Sequence, residues 1–363
     1  MKQPAKIKVL IVDDSAFMRK IIGDILSADP AIEVVGRARN GKEAVTQFEQ
    51  LVPDVVTLDM EMPGMNGIEV LREMMKHRPT AVVMVSSLTK EGANVTMQAL
   101  DAGALDFVTK PLGTISLDME KVGDELRQKV IAASRASVKN ASMLPGGGRQ
   151  FASSHSTVVA PPPKREFSKR LEMVVIAAST GGPMALQEVL PALPASFPLP
   201  ILVVQHMPPG FTSSFAARLN EKSALTVMEA VDGMAIKKGR VLIAPGGYHL
   251  AVEKKLGEYS CQLLETPPVR SVRPAADVLF TSVAEVVDGT VIAVVLTGMG
   301  KDGLDGTTKL RSKGAYVIAE SKETCVIYGM PGAIVDARLA DEVLPLYQVA
   351  SALERIAKKT ILV

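Results

Sequence analysis

The stretch Lys8-Val9-Leu10-Ile11-Val12-Asp13-Asp14-Ser15 runs a short apolar segment straight into two carboxylates and a serine. A near-continuous run of this kind predicts a strand buried on both faces, and such strands belong to parallel sheets covered by helices. Working outward, Asp54 to Leu58, Ala81 to Val85 and Phe107 to Thr109 repeat the pattern. Between them lie amphipathic segments that begin near Ser15, Gly41, Gly67 and Gly92. Strands alternating with helices predict a doubly wound α/β unit over residues 1–133, in which function gathers at the carboxyl ends of the strands.

Those ends carry matched chemistry. Asp13 and Asp14 follow the first run, Asp59 the second, Ser86 the third, and Lys110 precedes Pro111 after the last. Taken singly, the first two aspartates read as helix caps and Lys110 as a surface residue. As an ordered set, three converging carboxylates demand a compensating cation, and all-oxygen ligation with room for water and phosphate oxygens suits Mg²⁺. The lysine then supplies a point charge for a phosphoryl group, the Ser86 hydroxyl a hydrogen bond, and Asp59 the nucleophile that forms an aspartyl phosphate.

Val12-Asp13-Asp14-Ser15, Leu58-Asp59-Met60-Glu61-Met62-Pro63, Gly67, Ser86 and Thr109-Lys110-Pro111 resemble the response-regulator receiver domain, of flavodoxin-like fold, across residues 6–130. The resemblance implies phosphorylation of Asp59 by a partner histidine kinase and Mg²⁺ held by Asp13, Asp14, Asp59 and the backbone carbonyl of Glu61. It also implies a switch involving Ser86, Phe107 and Lys110. Ser87 sits beside Ser86 as an alternative hydroxyl.

In the second half, the apolar run Met173 to Ala178 turns through Ser179-Thr180-Gly181-Gly182-Pro183 into a helical segment from Met184. A serine on a glycine-rich strand-to-helix turn serves either anion binding at a helix N-terminus or nucleophilic attack beside backbone amides. Neither phosphate-loop pattern is present, and the G-x-S-x-G elbow is absent too. Read alone, Ser179 is an N-cap.

A serine nucleophile needs a base. Of the four histidines, His155 lies in a polar connecting stretch and His77 on a polar helix end. His206 follows the strand Ile201 to Gln205, and His249 also follows a strand; spacing prefers neither. Val291 to Leu296 leads into Thr297-Gly298-Met299-Gly300-Lys301-Asp302-Gly303, where Asp302 is placed to orient a histidine or, alternatively, to cap the helix from Leu304. Amides around Met299 could serve an oxyanion.

Ala177-Ala178-Ser179-Thr180-Gly181-Gly182-Pro183, Gln205-His206-Met207, Ala244-Pro245-Gly246, Arg273-Pro274-Ala275-Ala276-Asp277 and the segment Thr297 to Gly303 resemble the chemotaxis protein-glutamate methylesterase family, CheB. The resemblance covers most of residues 171–363 and implies an α/β methylesterase domain with a mainly parallel sheet. It implies Ser179 as nucleophile, His206 as base, Asp302 as orienter and the Met299 amide in the oxyanion hole, with His249 nearby and no cofactor. The implied substrate is a glutamate methyl ester on a methylated chemoreceptor, hydrolysed to carboxylate and methanol, with deamidation of receptor glutamines as a related activity. The expected coupling is a receiver that covers the Ser179 site until phosphorylation weakens the packing.

Composition frames this reading. The chain has 363 residues, enough for two domains, and a formal charge of +2. That charge hides a partition: residues 1–133 hold 16 basic and 19 acidic groups, residues 134–170 hold 7 and 1, and residues 171–363 hold 18 and 19. The middle segment, rich in Pro, Gly and Ser, predicts a flexible basic linker. Two cysteines cannot build a disulfide framework, so cytoplasm is the expected compartment. No 18-residue apolar stretch predicts membrane insertion, and the near-neutral balance gives no footprint for nucleic acid. The rival readings are an anion-binding module around Ser179 and a transcription-regulating effector, each without hydrolase activity.

Overall fold

The computed structural model describes residues 5–110, 117–140 and 169–358, with backbone alone for 117–121 and 136–140. The chain divides into two compact units, Met1–Arg149 and Gln150–Val363.

In the first unit, β1 (Ile7–Val12), α1 (Ala16–Ser27), β2 (Ile32–Ala38), α2 (Gly41–Leu51) and β3 (Val55–Asp59) are followed by α3 (Gly67–His77), β4 (Ala81–Ser86), α4 (Lys90–Asp101), β5 (Asp106–Thr109) and α5 (Leu117–Asn140). The sheet is wholly parallel in the order β2-β1-β3-β4-β5. Every residue of β3 and β4 is buried, which is why, short of the polar Asp59 and Ser86 at their ends, their sequences are near-continuous apolar runs. β2 escaped that signal because it is an edge strand: only Ile32 and Ala38 are buried, and Gly36 and Arg37 interrupt the run. Ser15 caps α1, its hydroxyl accepting from the Met18 amide at 3.3 Å, so Asp13 and Asp14 are not the caps of that helix. α5 carries helix past Ser134, where composition alone begins the tether. Pro111, His155 and residues 141–168 lie outside the described residues.

The second unit opens with β6 (Leu171–Ala178), α6 (Gly182–Val189), β7 (Ile201–Gln205), α7 (Phe211–Lys222), β8 (Thr226–Glu229) and β9 (Arg240–Ile243). A hairpin of β10 (His249–Lys255) and β11 (Glu258–Leu264) precedes α8 (Ala276–Val286) and β12 (Thr290–Val295). The unit ends with α9 (Leu304–Ser312), β13 (Tyr316–Glu320), α10 (Met330–Asp336), β14 (Glu342–Leu344) and α11 (Leu346–Lys358). Seven strands form a parallel sheet ordered β14-β13-β12-β6-β7-β9-β8, and β10 pairs with β11 antiparallel as a separate ribbon. Leu279, Phe280 and Val283 of α8 pack with Val175, Ala177 and Val295 in one core. Burial stabilises each large side chain by roughly 1.5–3 kcal/mol.

Both sheets reverse direction next to their first strand: the chain leaves β1 on one side and returns at β3, and leaves β6 on one side and returns at β12. Such switch points leave a crevice beyond the strand ends, where open α/β sheets bind ligands. No helix among the described residues is long and apolar enough to cross a membrane.

Candidate functional site

At the switch point of the second unit, β6 delivers Ser179, β7 delivers His206 and β12 leads to Asp302. The Ser179 amide donates to the Thr297 carbonyl at 3.0 Å and the His206 amide to the Ala178 carbonyl at 3.1 Å, so the ends of the three strands are laced together. Gln205 adds a tie, its Nε2 donating to the carbonyls of Ser179 at 3.0 Å and His206 at 3.1 Å. The N-cap of α6 is Gly181, at φ +76°, which frees the Ser179 hydroxyl from capping. Gly298 is required by contact: a Cβ there would lie 2.4 Å from Met330 Sδ and 2.8 Å from Ser179 Cβ.

Ser179 Oγ lies 3.0 Å from His206 Nδ1, and His206 Nε2 lies 2.8 Å from Asp302 Oδ2. A carboxylate only accepts, so Nε2 carries the proton and Nδ1 is the free acceptor facing the serine. Asp302 is 3 % exposed and accepts three backbone amides besides: Ala276 at 2.6 Å on Oδ2, and Asp277 and Gly303 at 3.0 Å each on Oδ1. Burial favours the neutral acid, but hydrogen bonds and charge from His206 and the amides of Asp277 and Ala276 outweigh it and hold the carboxyl below its ordinary range. Asp302 is not the cap of α9; that position is Gly303. Met299 is half-buried beside Gly298, and its amide has no acceptor among the described residues.

His249 is not at this constellation. It begins β10, fully buried, and bonds to Pro267 and Ala275 instead. His77 is at the end of α3, against Glu49 and Glu73.

Sequence reasoning missed Glu320, the last residue of β13. Its Oε2 accepts the Thr297 amide at 2.7 Å and its Oε1 the Thr324 hydroxyl at 2.9 Å, so a buried carboxylate steadies the strand end that receives the Ser179 amide. Burial raises its pKa to about 7, against those hydrogen bonds. Its place at a strand end was the only signal.

At the switch point of the first unit, oxygens of Asp13, Asp14 and Asp59 lie within 4.8 Å of one another. Asp13 and Asp59 are buried and Asp14 is exposed. Lys110 Nζ sits 3.5 Å from Asp13 Oδ2 and 2.7 Å from Asp59 Oδ2, and among the described residues neither buried oxygen has a hydrogen-bond donor beyond that one ammonium. Burial raises the Asp59 pKa to about 6 and that of Asp13 too, Lys110 opposing both. Buried carboxylate oxygens this short of donors fit a hard divalent cation such as Mg²⁺. The Glu61 amide donates to Asp59 Oδ1 at 3.2 Å, which places its backbone at the rim.

Ser86 is buried, its hydroxyl accepting from Thr96 Oγ1 at 2.8 Å and lying 3.3 Å from the Gly92 carbonyl. Ser87 points elsewhere, to Glu61 Oε1 at 3.2 Å. Phe107 is buried, with the Lys129 ammonium 5.3 Å from its ring centre.

A three-carboxylate pocket with a lysine, joined to a serine-histidine-aspartate array on a second parallel sheet, defines a class: a hydrolase carrying a response-regulator receiver. Residues 9–119 match the response regulator receiver domain family and residues 174–353 match CheB methylesterase. The chain is 49% identical to a protein-glutamate methylesterase/protein-glutamine glutaminase of Symbiobacterium thermophilum, over 96% of each chain. It is 47% identical to the same-named protein of Thermotoga maritima, over 96% of this chain and 97% of the relative. The crystal structure of the Thermotoga maritima CheB methylesterase catalytic domain matches at 48% identity and TM-score 0.50, covering 52% of this chain and 99% of that one. The chain belongs to the CheB family of protein-glutamate methylesterases.

Proposed function

We infer that the protein hydrolyses glutamate methyl esters on methylated chemoreceptors for sensory adaptation, releasing methanol, and deamidates receptor glutamines at the same site. The observation that carries this reading is the relay from Ser179 Oγ to His206 Nδ1 at 3.0 Å and from His206 Nε2 to Asp302 at 2.8 Å, at a sheet switch point. His206 Nδ1 takes the hydroxyl proton as Ser179 attacks the ester carbonyl, and the Met299 amide donates to the oxygen as it becomes negative. Protonated at both nitrogens, His206 is stabilised by Asp302 and returns the proton to the departing methoxide, leaving a glutamyl ester on Ser179. Water, deprotonated by the same nitrogen, then releases the glutamate and regenerates the serine. For a glutamine substrate the leaving group is ammonia, and the acyl intermediate is identical.

In the receiver, Asp59 takes the phosphoryl group from a histidine kinase. Mg²⁺, held by Asp13, Asp14, Asp59 and the Glu61 carbonyl, would neutralise phosphoryl oxygens. Lys110, already against Asp59, supplies the protein's own cation. For Ser86 to hydrogen-bond the phosphoryl group, its hydroxyl must stop donating to the Gly92 carbonyl, which ties the modification to α4. Phosphorylation then raises esterase activity in the cytoplasmic enzyme. The relatives' shared name favours this reading over an anion-binding or transcription-regulating effector. The test is methanol release from methylated receptor by wild type, Ser179→Ala and Asp59→Ala, with and without phosphodonor. Turnover by Ser179→Ala sinks the esterase assignment; a phosphodonor response by Asp59→Ala sinks the control.

A further inference from the structure

His249 is fully buried, and its ring joins two points of one irregular segment. Nε2 lies 3.1 Å from the Pro267 carbonyl, and Nδ1 lies 3.1 Å from the Ala275 amide. A carbonyl only accepts and an amide only donates, so the ring is neutral, with its proton on Nε2. The intervening chain needs such ties: Arg270 and Ser271 both have positive φ, at 50° and 67°, a conformation that costs non-glycine residues free energy.

The second of these bonds bears on the chemistry. Ala275 is the N-cap of α8, and with no side-chain oxygen it leaves the first amides of the helix to be satisfied from outside. Asp302 takes them, Ala276 on Oδ2 and Asp277 on Oδ1, and the same Oδ2 faces His206. The imidazole of His249 is thus one residue from an amide that aims the carboxylate.

We propose that His249 is a positioning residue for hydrolysis, holding the Ala275 amide so that the first turn of α8 keeps Asp302 on His206. The proposal rests on Ser179, His206 and Asp302 being the hydrolytic centre. His249 takes no proton from the substrate, since both of its nitrogens are engaged by backbone. Its effect is on geometry, where a displacement of ~1 Å can cost on the order of 10²-fold in rate.

Two substitutions separate this role from mere core filling. In His249→Asn the amide oxygen occupies the place of Nδ1 and still accepts from Ala275, while the bond to Pro267 is lost. In His249→Gln the amide nitrogen reaches the place of Nε2 and still donates to Pro267, while the acceptor for Ala275 is lost. The full-length protein is assayed for methanol release from methylated receptor, beside Asp302→Ala and the core variant Val252→Ala on the same strand. The expected result is a kcat of His249→Gln reduced by roughly ten- to hundredfold at unchanged KM, with His249→Asn within about fivefold of wild type. Equal kcat for the Asn and Gln variants overturns the proposal, as does a loss that follows melting temperature on the line set by Val252→Ala. Full activity in Asp302→Ala would instead overturn the hydrolytic centre.

Discussion

Glu320→Gln tests whether a buried carboxyl governs the stability of the sheet edge behind Ser179. Glu320 is wholly buried, and its carboxyl titrates near pH 7 rather than at its ordinary 4.5, because burial penalises the charge more than the Thr297 and Thr324 donors favour it. Folding therefore favours the protonated acid. A carboxyl of raised pKa contributes its full stabilisation below pH 4.5 and loses it as pH rises through about 7. The interval corresponds to about 3 kcal/mol at roughly 1.4 kcal/mol per tenfold change in proton affinity. Glutamine keeps an acceptor for the Thr297 amide and carries no titrating charge. Urea unfolding at pH values between 5 and 8.5, followed by hydrogen exchange in peptides spanning β12 and β13, measures the effect. Wild type should lose about 2.5 kcal/mol more than Glu320→Gln across that range, since pH 5 already lies above the unfolded value. Parallel stability profiles for the two proteins would refute the reasoning.

Asp302→Asn should lower kcat by on the order of 10⁴-fold with little loss of fold, because the amide cannot hold His206 in the tautomer that leaves Nδ1 free; steady-state methanol release reads this. Gly298→Ala forces a methyl group against Met330 Sδ and Ser179 Cβ, so thermal unfolding should show about 1–3 kcal/mol of destabilisation, together with a fall in kcat. Asp59→Asn should abolish acyl-phosphate formation from a small-molecule phosphodonor in the presence of Mg²⁺, and chelation should do the same to wild type; radiolabel retained on the variant would point to another acceptor. Thr96→Val removes the hydrogen bond that holds Ser86 in the buried arrangement, so phosphorylation should activate methanol release at lower phosphodonor concentration.

Much of the candidate site was legible because both units follow one rule: the polar residues proposed for the chemistry stand at the carboxyl ends of parallel strands, and buried parallel strands are near-continuous apolar runs. Asp13, Asp59, Ser86 and Lys110 were found in this way, as were Ser179, His206 and Asp302. Where a strand is not buried, the rule fails. β2, at the sheet edge, has only its two end residues buried, with Glu33 and Arg37 exposed and Val34 to Gly36 half-buried between them, and was passed over. Glu320 was missed for the opposite reason, since its strand is buried but its role is fulfilled through a backbone amide, which leaves no trace in residue type.

By itself, the sequence determined the two α/β units, the buried strands that read as apolar runs, and most of the polar residues at their ends, because hydrophobic periodicity and turn residues are local properties. The tertiary structure decided which strands lie side by side, and so which ends meet. It placed β12 beside β6 and brought Asp302 to a histidine 96 positions earlier. It also chose between two histidines that spacing left equal, setting Nδ1 of His206 against Ser179 and closing both nitrogens of His249 with backbone. A hydrogen bond depends on distances of tenths of an ångström between groups far apart in the chain, and only the packed sheet sets those distances.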